Sequence, residues 1–186
     1  MGKEVINRMS NIKVIVVNGY PGSGKTTFEE CCKAKLGPFC QIRSTIDKVK
    51  SLAFRAGWDG KKTPEARKLL SDLKKIFVEF NDMPFKDIQS HIAYFKSDLE
   101  RYGVESDKAL FLVDSREPEE IDRFKHELGA ITILIKRDKH ENEVESNDSD
   151  ANVDNYEYDY VIENNGTIAD LNAKAVEFID LIFSKN

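Results

Sequence analysis

No apolar run in the chain approaches membrane-spanning length, and residues 1–11 are too polar for a signal peptide. A cytoplasmic protein with no membrane partner is therefore expected. Basic excess is also missing: 28 Lys and Arg stand against 33 Asp and Glu, a net charge of −5, which argues against a nucleic-acid partner. Cysteine is scarce. Cys31, Cys32 and Cys40 are odd in number and lack metal-type spacing, so neither a disulfide framework nor a cysteine metal site is expected. The adjacent Cys31 and Cys32 read as small core residues in a reducing compartment. Histidine is sparse as well, with His91, His126 and His140 scattered at surface positions, and no catalytic triad is evident. The acidic run 141–154 lacks the D-x-[DN]-x-[DN]-G order of a calcium loop and reads as a solvated flap. There is no internal repeat. A length of 186 residues fits one domain and leaves no room for the added domains of helicases or repair ATPases.

What the chain does have is concentrated in residues 12–27. The β-branched run Val14 to Val17 reads as a buried strand that empties into Gly19-Tyr20-Pro21-Gly22-Ser23-Gly24-Lys25-Thr26, the phosphate-loop pattern G-x-x-x-x-G-K-[ST]. A helical stretch from Thr26 to Leu36 follows and stops at Gly37-Pro38. The glycines let backbone N–H groups turn onto a polyphosphate, and the helix N-terminus adds its dipole. The loop residues Gly22, Ser23, Gly24, Lys25, Thr26 and Thr27 are thus expected to bind nucleotide. Lys25 would bridge the β- and γ-phosphates, and the Thr26 hydroxyl would ligate Mg²⁺.

The rest of the pattern alternates strand and helix. A second strand covers Phe39 to Ile42, then helices run from about Ile46 to Ala56 and from Thr63, a capping residue followed by Pro64, to about Phe80. In the latter, Leu69, Leu70, Leu73, Ile76, Phe77 and Phe80 are expected to form a buried stripe. A further helix repeats Phe85, Ile88, Ile92, Phe95 and Leu99. Strands at 109–113, 130–135 and 158–162 alternate with a helix at 117–128 and a closing helix capped by Thr167. This order predicts an α/β, three-layer fold with a five-stranded parallel sheet in the order 2-3-1-4-5. A single domain over 1–186 is expected, with its core at 12–43 and 105–186. The helical acceptor-side insert would be 44–104, and the lid loop 137–157. The crevice should lie at the carboxyl ends of the strands.

Several residues fall at that crevice. Asp114 ends an apolar strand, where a carboxylate would hold Mg²⁺; the alternative is a helix cap. Arg116 would grip a phosphate bidentately, or else pair with Glu119 or Glu120. Lys136 and Arg137 open the acidic loop, and Arg137 there would neutralise a transferring group. Asp47 would accept an acceptor proton and Lys48 pair with its phosphate, unless Ser44 and Asp47 simply cap the helix. Arg67 is a second candidate phosphate clamp, whereas Lys61 and Lys62 read as surface.

With these residues in place the chain resembles a P-loop kinase of the nucleoside monophosphate kinase type. Asp114-Ser115-Arg116, Ile121, Phe124, Gly129-Ala130-Ile131-Thr132 and the segment Tyr158 to Gly166 are similar to animal-type phosphomevalonate kinases. Phage deoxynucleoside monophosphate kinases and dephospho-coenzyme A kinases share looser versions of the Asn164-Asn165-Gly166 segment. The resemblance spans residues 12–36 and 109–183. It implies that Arg116 contacts the acceptor or transferred phosphate, that Arg137 is a lid arginine, and that Asn164 and Gly166 lie near the adenine. Over 44–100 the match is poor, and the phosphate loop is less basic than in phosphomevalonate enzymes. The expected activity is ATP- and Mg²⁺-dependent phosphoryl transfer to a small-molecule acceptor, first a nucleoside or deoxynucleoside monophosphate. The protein would act as a monomer or homodimer. The alternatives are a phosphomevalonate-like small-metabolite kinase and a nucleotide-switched ATPase without acceptor. The ATPase would need a partner-facing apolar patch, and none is evident in the sequence.

Overall fold

The computed structural model of the chain describes residues 12–103, 108–138, 153 and 156–184. Most of the expected lid, 139–152 and 154–155, lies outside the described residues, as does His140.

Five parallel strands form one sheet: β1 (Lys13–Asn18), β2 (Cys40–Ser44), β3 (Leu110–Asp114), β4 (Ile131–Lys136) and β5 (Tyr160–Glu163). Their order is β2-β3-β1-β4-β5, as the sequence pattern predicts. The six α-helices among the described residues are α1 (Lys25–Leu36), α2 (Asp47–Arg55), α3 (Pro64–Asn81), α4 (Met83–Arg101), α5 (Pro118–Leu128) and α6 (Ile168–Ser184).

Val14 to Val17 of β1 are apolar without interruption because the strand is covered on both faces, which is the rule for a central parallel strand. Its side chains alternate: Ile15 and Val17 enter one core with Phe28 and Cys32 of α1 and Leu171, Phe178 and Ile179 of α6. Val14 and Val16 enter the opposite core with Phe85, Ile88 and Phe95 of α4 and Ile121 and Phe124 of α5. Phe28, fully buried, meets Phe178 with ring centroids 5.9 Å apart. Each such side chain withdrawn from water contributes about 2–3 kcal/mol. Cys32 and Cys40 are buried as small core residues, whereas Cys31 is only half-buried and donates to Asn172 Oδ1 on α6.

The layers are held in register by local chemistry. Thr63 Oγ1 accepts the Ala66 N–H at 3.2 Å and Pro64 opens α3, the N-cap arrangement its sequence announces. Asp82, at φ 60°, is the only described non-glycine residue with positive φ and makes the sharp corner between α3 and α4. Arg123 of α5 fixes that corner, with Nη1 at 2.7 Å from Asp82 Oδ1 and its guanidinium 3.7 Å above the Phe85 ring. At the other side of the sheet, Asp159 Oδ2 accepts from both the backbone N–H and the hydroxyl of Thr132, at 2.9 and 3.0 Å. The Thr132 and Asp159 of the resembling segments therefore tie β4 to the lead-in of β5.

One expectation fails. The apolar stripe of α3 is not buried: Leu69 is 45%, Ile76 55% and Phe80 80% exposed, and Leu70, Leu73 and Phe77 are only half-buried. The insert rests on α2 and α4 along one edge, so its apolar face is wider than the surface it meets.

Candidate active site

β1 ends at the buried Asn18, whose Oδ1 accepts the Gly19 N–H at 2.7 Å and whose Nδ2 donates to the Tyr158 hydroxyl at 2.8 Å. The first loop glycine is thus anchored from a residue 140 positions away. The loop itself admits no side chain at its two tightest points. A Cβ on Gly19 would lie 2.4 Å from the Ile135 carbonyl oxygen, and one on Gly24 2.4 Å from Asn164 Nδ2. Gly24, at φ 100°, is the N-cap of α1 and supplies no side-chain cap. The helix therefore opens without a side-chain cap, and a helix N-terminus of this kind favours anions.

Lys25 Nζ donates to the carbonyls of Gly19 and Tyr20, at 2.5 and 3.0 Å, so the ammonium lies over the loop it would serve. Thr26 is exposed in the first turn of α1 and Thr27 is half-buried behind it, with Gly22 exposed and Ser23 buried in the loop. Asn164 Nδ2 donates to the Ser23 carbonyl at 2.8 Å, bracing the loop from beneath. Gly166 makes room for a capping box: its Cβ would fall 2.5 Å from Asp170 Oδ2, which accepts the Thr167 N–H at 2.7 Å. Replacing Gly24 by Ala should strain a positive-φ position and break the Asn164–Ser23 bond together. The expected cost is roughly 3 kcal/mol of stability, with loss of nucleotide affinity. An unshifted denaturation midpoint in that variant would show that Asn164 does not grip the loop through Gly24.

The sheet register brings Asp114 beside the loop, opposite Val17 of β1 and Ser44 of β2. Its Oδ1 is buried and makes no hydrogen bond. Two further buried oxygens are unsatisfied, Ser23 Oγ and Glu29 Oε1. Native proteins rarely leave such atoms unpaired, and three at one crevice point to a polar or ionic ligand there. Glu29, 6% exposed, stands one helical turn after Lys25 on the same face of α1. Burial first, then the neighbouring Asp114, raises its pKa to about 8; Lys25 opposes the shift, while Asp47 and Glu30 add to it. Glu29 is absent from the residues expected at the crevice. Its spacing of four from Lys25 was the available signal.

Across the crevice, Asp47 Oδ2 accepts the Ser44 N–H at 2.8 Å, while Ile46, the N-cap of α2, has no side-chain cap. Ser44 Oγ donates to the Asp114 carbonyl at 3.2 Å. Lys48, half-exposed, lies 3.8 Å from Asp87 of α4. Arg116 is half-buried just past β3, its carbonyl 3.5 Å from Asn18 Nδ2. Glu120 is engaged elsewhere: Lys74 Nζ of α3 donates to it at 2.9 Å and to Thr45 Oγ1 at 3.0 Å, while the Ser115 hydroxyl donates to the same Glu120 oxygen. This nearly buried network, absent from the sequence expectations, hangs the insert on the crevice. Arg67 is exposed on α3, two turns before Lys74 and on the same face. Arg137 is exposed after β4, where the neighbouring Asp138 N–H is held by Asn165 Oδ1 at 2.8 Å.

No family model and no curated protein matches the chain. Among solved structures, an unliganded sugar kinase from Janibacter sp. HTCC2649 aligns over 94% of this chain and 98% of its own, with a TM-score of 0.49 and 15% identity. Neither number lets that protein's activity pass to this chain. Among the described residues no helix is long and apolar enough to cross a membrane.

Proposed function

We propose that the chain is an ATP- and Mg²⁺-dependent kinase of a small, already phosphorylated acceptor, first a nucleoside or deoxynucleoside monophosphate. The observation that carries this is the unpartnered, buried Oδ1 of Asp114, set by the β1–β3 register beside a glycine loop that ends in Lys25 and an uncapped helix. Amides of Gly22 to Thr27 would cradle the donor phosphates, and Lys25 would leave the Gly19 and Tyr20 carbonyls for the β- and γ-phosphates. Asn164 and Gly166 would serve the nucleotide by shaping the loop and the start of α6.

The donor set fits a hard cation: an unsatisfied carboxylate oxygen on Asp114 and a hydroxyl on Thr26. Asp114 and Thr26 would hold the cation, which would supply charge neutralisation for the donor phosphates. Arg116 and the exposed Arg137 would stabilise the transferring group. Lys48 and Arg67 would meet the acceptor, Lys48 after giving up its surface pairing with Asp87. A phosphate acceptor is already anionic, so no general base is required. Asp47 spends one oxygen on the Ser44 N–H.

The test is ADP release measured with an acceptor panel. Nucleoside monophosphates, deoxynucleoside monophosphates and phosphorylated metabolites of the phosphomevalonate kind are compared with no acceptor. Stimulation of about tenfold or more by one class identifies the acceptor. Slow hydrolysis unchanged by every member would instead support the nucleotide-switched ATPase.

A further inference from the structure

Three segments of the chain converge on one ammonium. Lys74 Nζ of α3 donates to Glu120 Oε2 of α5 at 2.9 Å and to Thr45 Oγ1, between β2 and α2, at 3.0 Å. The same Glu120 oxygen accepts the Ser115 hydroxyl, and Ser115 stands between Asp114 and Arg116. The Thr45 N–H in turn donates to the Asp114 carbonyl at 3.3 Å. Water is nearly shut out: the Lys74 and Glu120 side chains are 16% and 12% exposed, and Thr45 and Ser115 are buried. An ion pair this dry tolerates the loss of neither partner. The body of α3 contains no buried residue and packs along α2 and α4. Its corner with α4 is tied to α5 where Asp82 meets Arg123 at 2.7 Å, but Lys74 is the tie nearer to Arg67.

We propose that Lys74, acting through Glu120, is a positioning residue for the acceptor: it holds α3, and with it Arg67, at a fixed distance from Arg116. Under the kinase reading on which this rests, Arg67 meets the acceptor and Arg116 the transferring group. The two arginines belong to different elements, and the phosphate loop sets neither of them. A rigid link between α3 and the β3–α5 turn is therefore what keeps the acceptor aligned before it binds. Loss of the ammonium leaves Glu120 still bonded to the Ser115 hydroxyl, so Arg116 stays in place and only the α3 side is released. Ordering α3 then falls to acceptor binding and weakens it, while the assembled complex turns over as before. The donor site, built on Lys25 and the glycine loop, lies outside this link.

Initial rates of ADP release by Lys74→Met test this. The probe is whichever nucleoside monophosphate, deoxynucleoside monophosphate or phosphomevalonate-type metabolite most stimulates the native chain. Its KM should rise at least about tenfold, with kcat within about threefold and the ATP KM within about twofold of native. A merely structural loss would lower the melting point and the active fraction, and so kcat, without moving the acceptor KM. Glu120→Gln should raise the acceptor KM by a smaller factor. The double variant should be no worse than Lys74→Met alone, because both changes cut one link. Should Lys74→Met not fold, Thr45→Val with Glu120→Gln, both close in volume to the native side chains, loosens the same ammonium and takes its place. An unchanged acceptor KM in a chain that an acceptor does stimulate overturns the positioning role and leaves the kinase reading standing. A double variant in which the two factors multiply does the same. Absence of stimulation of the native chain by every acceptor overturns the kinase reading and the acceptor role together.

Discussion

Lys25→Ala should cut turnover about a hundred- to a thousandfold while leaving the fold intact. The residue is half-buried, and its ammonium donates to the loop carbonyls of Gly19 and Tyr20. Truncation therefore removes a positioned charge and little packing. In phosphoryl transfer the protein's work is almost entirely positioning and charge stabilisation. A lost preorganised charge in such a site costs about 3–4 kcal/mol of transition-state stabilisation, or between a hundred- and a thousandfold in rate. The effect should fall on kcat with every active acceptor, because the lysine serves the donor phosphates common to all of them. Thermal melting of the variant should match the native chain, which separates a chemical loss from a folding one. Turnover retained with any acceptor would remove Lys25 from the mechanism and, with it, the kinase reading of the loop.

The reason the loop was legible and the insert was not lies in what each depends on. The loop is a local device: glycine spacing, the lysine and the flanking strand and helix are adjacent in sequence, and period two against 3.6 sorts the neighbouring elements. Strand order followed because right-handed crossovers leave few alternatives once the loop is placed after the first strand. Long-range partners left weaker traces. Nothing near Asn18 announces that Tyr158 will hold its amide, and nothing near Lys74 announces Glu120 and Thr45. Asn164 was visible only through a resemblance, and nothing in the sequence announces its bond to Ser23 of the loop. On α3 the hydrophobic period correctly gave a helix with an apolar face. A period cannot say what covers that face, and the exposed Ile76 and Phe80 show that this chain's own body does not. The apolar patch that the sequence did not disclose is therefore present.

Glu29→Gln should stabilise the protein in alkaline solution and leave it unchanged in acid. In the fold this carboxyl is buried beside Asp114, and its pKa stands near 8 against an ordinary value of 4.5. The folded chain thus holds a proton that the unfolded chain releases as pH rises past 4.5. By linkage, stability falls with rising pH across the window from about 4.5 to about 8 and levels off above it. The full shift sets an upper bound, since each unit is about 1.4 kcal/mol. Relaxation and water entry reduce it, so a loss of roughly 2–4 kcal/mol between pH 5 and pH 8.5 is expected. Glutamine keeps the volume and cannot ionise, so its curve should lack this slope. At pH 8.5 the variant should melt roughly 5–12 °C above the native chain, and near pH 5 the two should coincide. The comparison isolates Glu29 because Lys25, Asp47, Glu30 and Asp114 are retained in both chains. Parallel curves across the range would mean that Glu29 is ionised in the fold, so that its unpartnered oxygen faces water or a cation in place of a neutral, buried site.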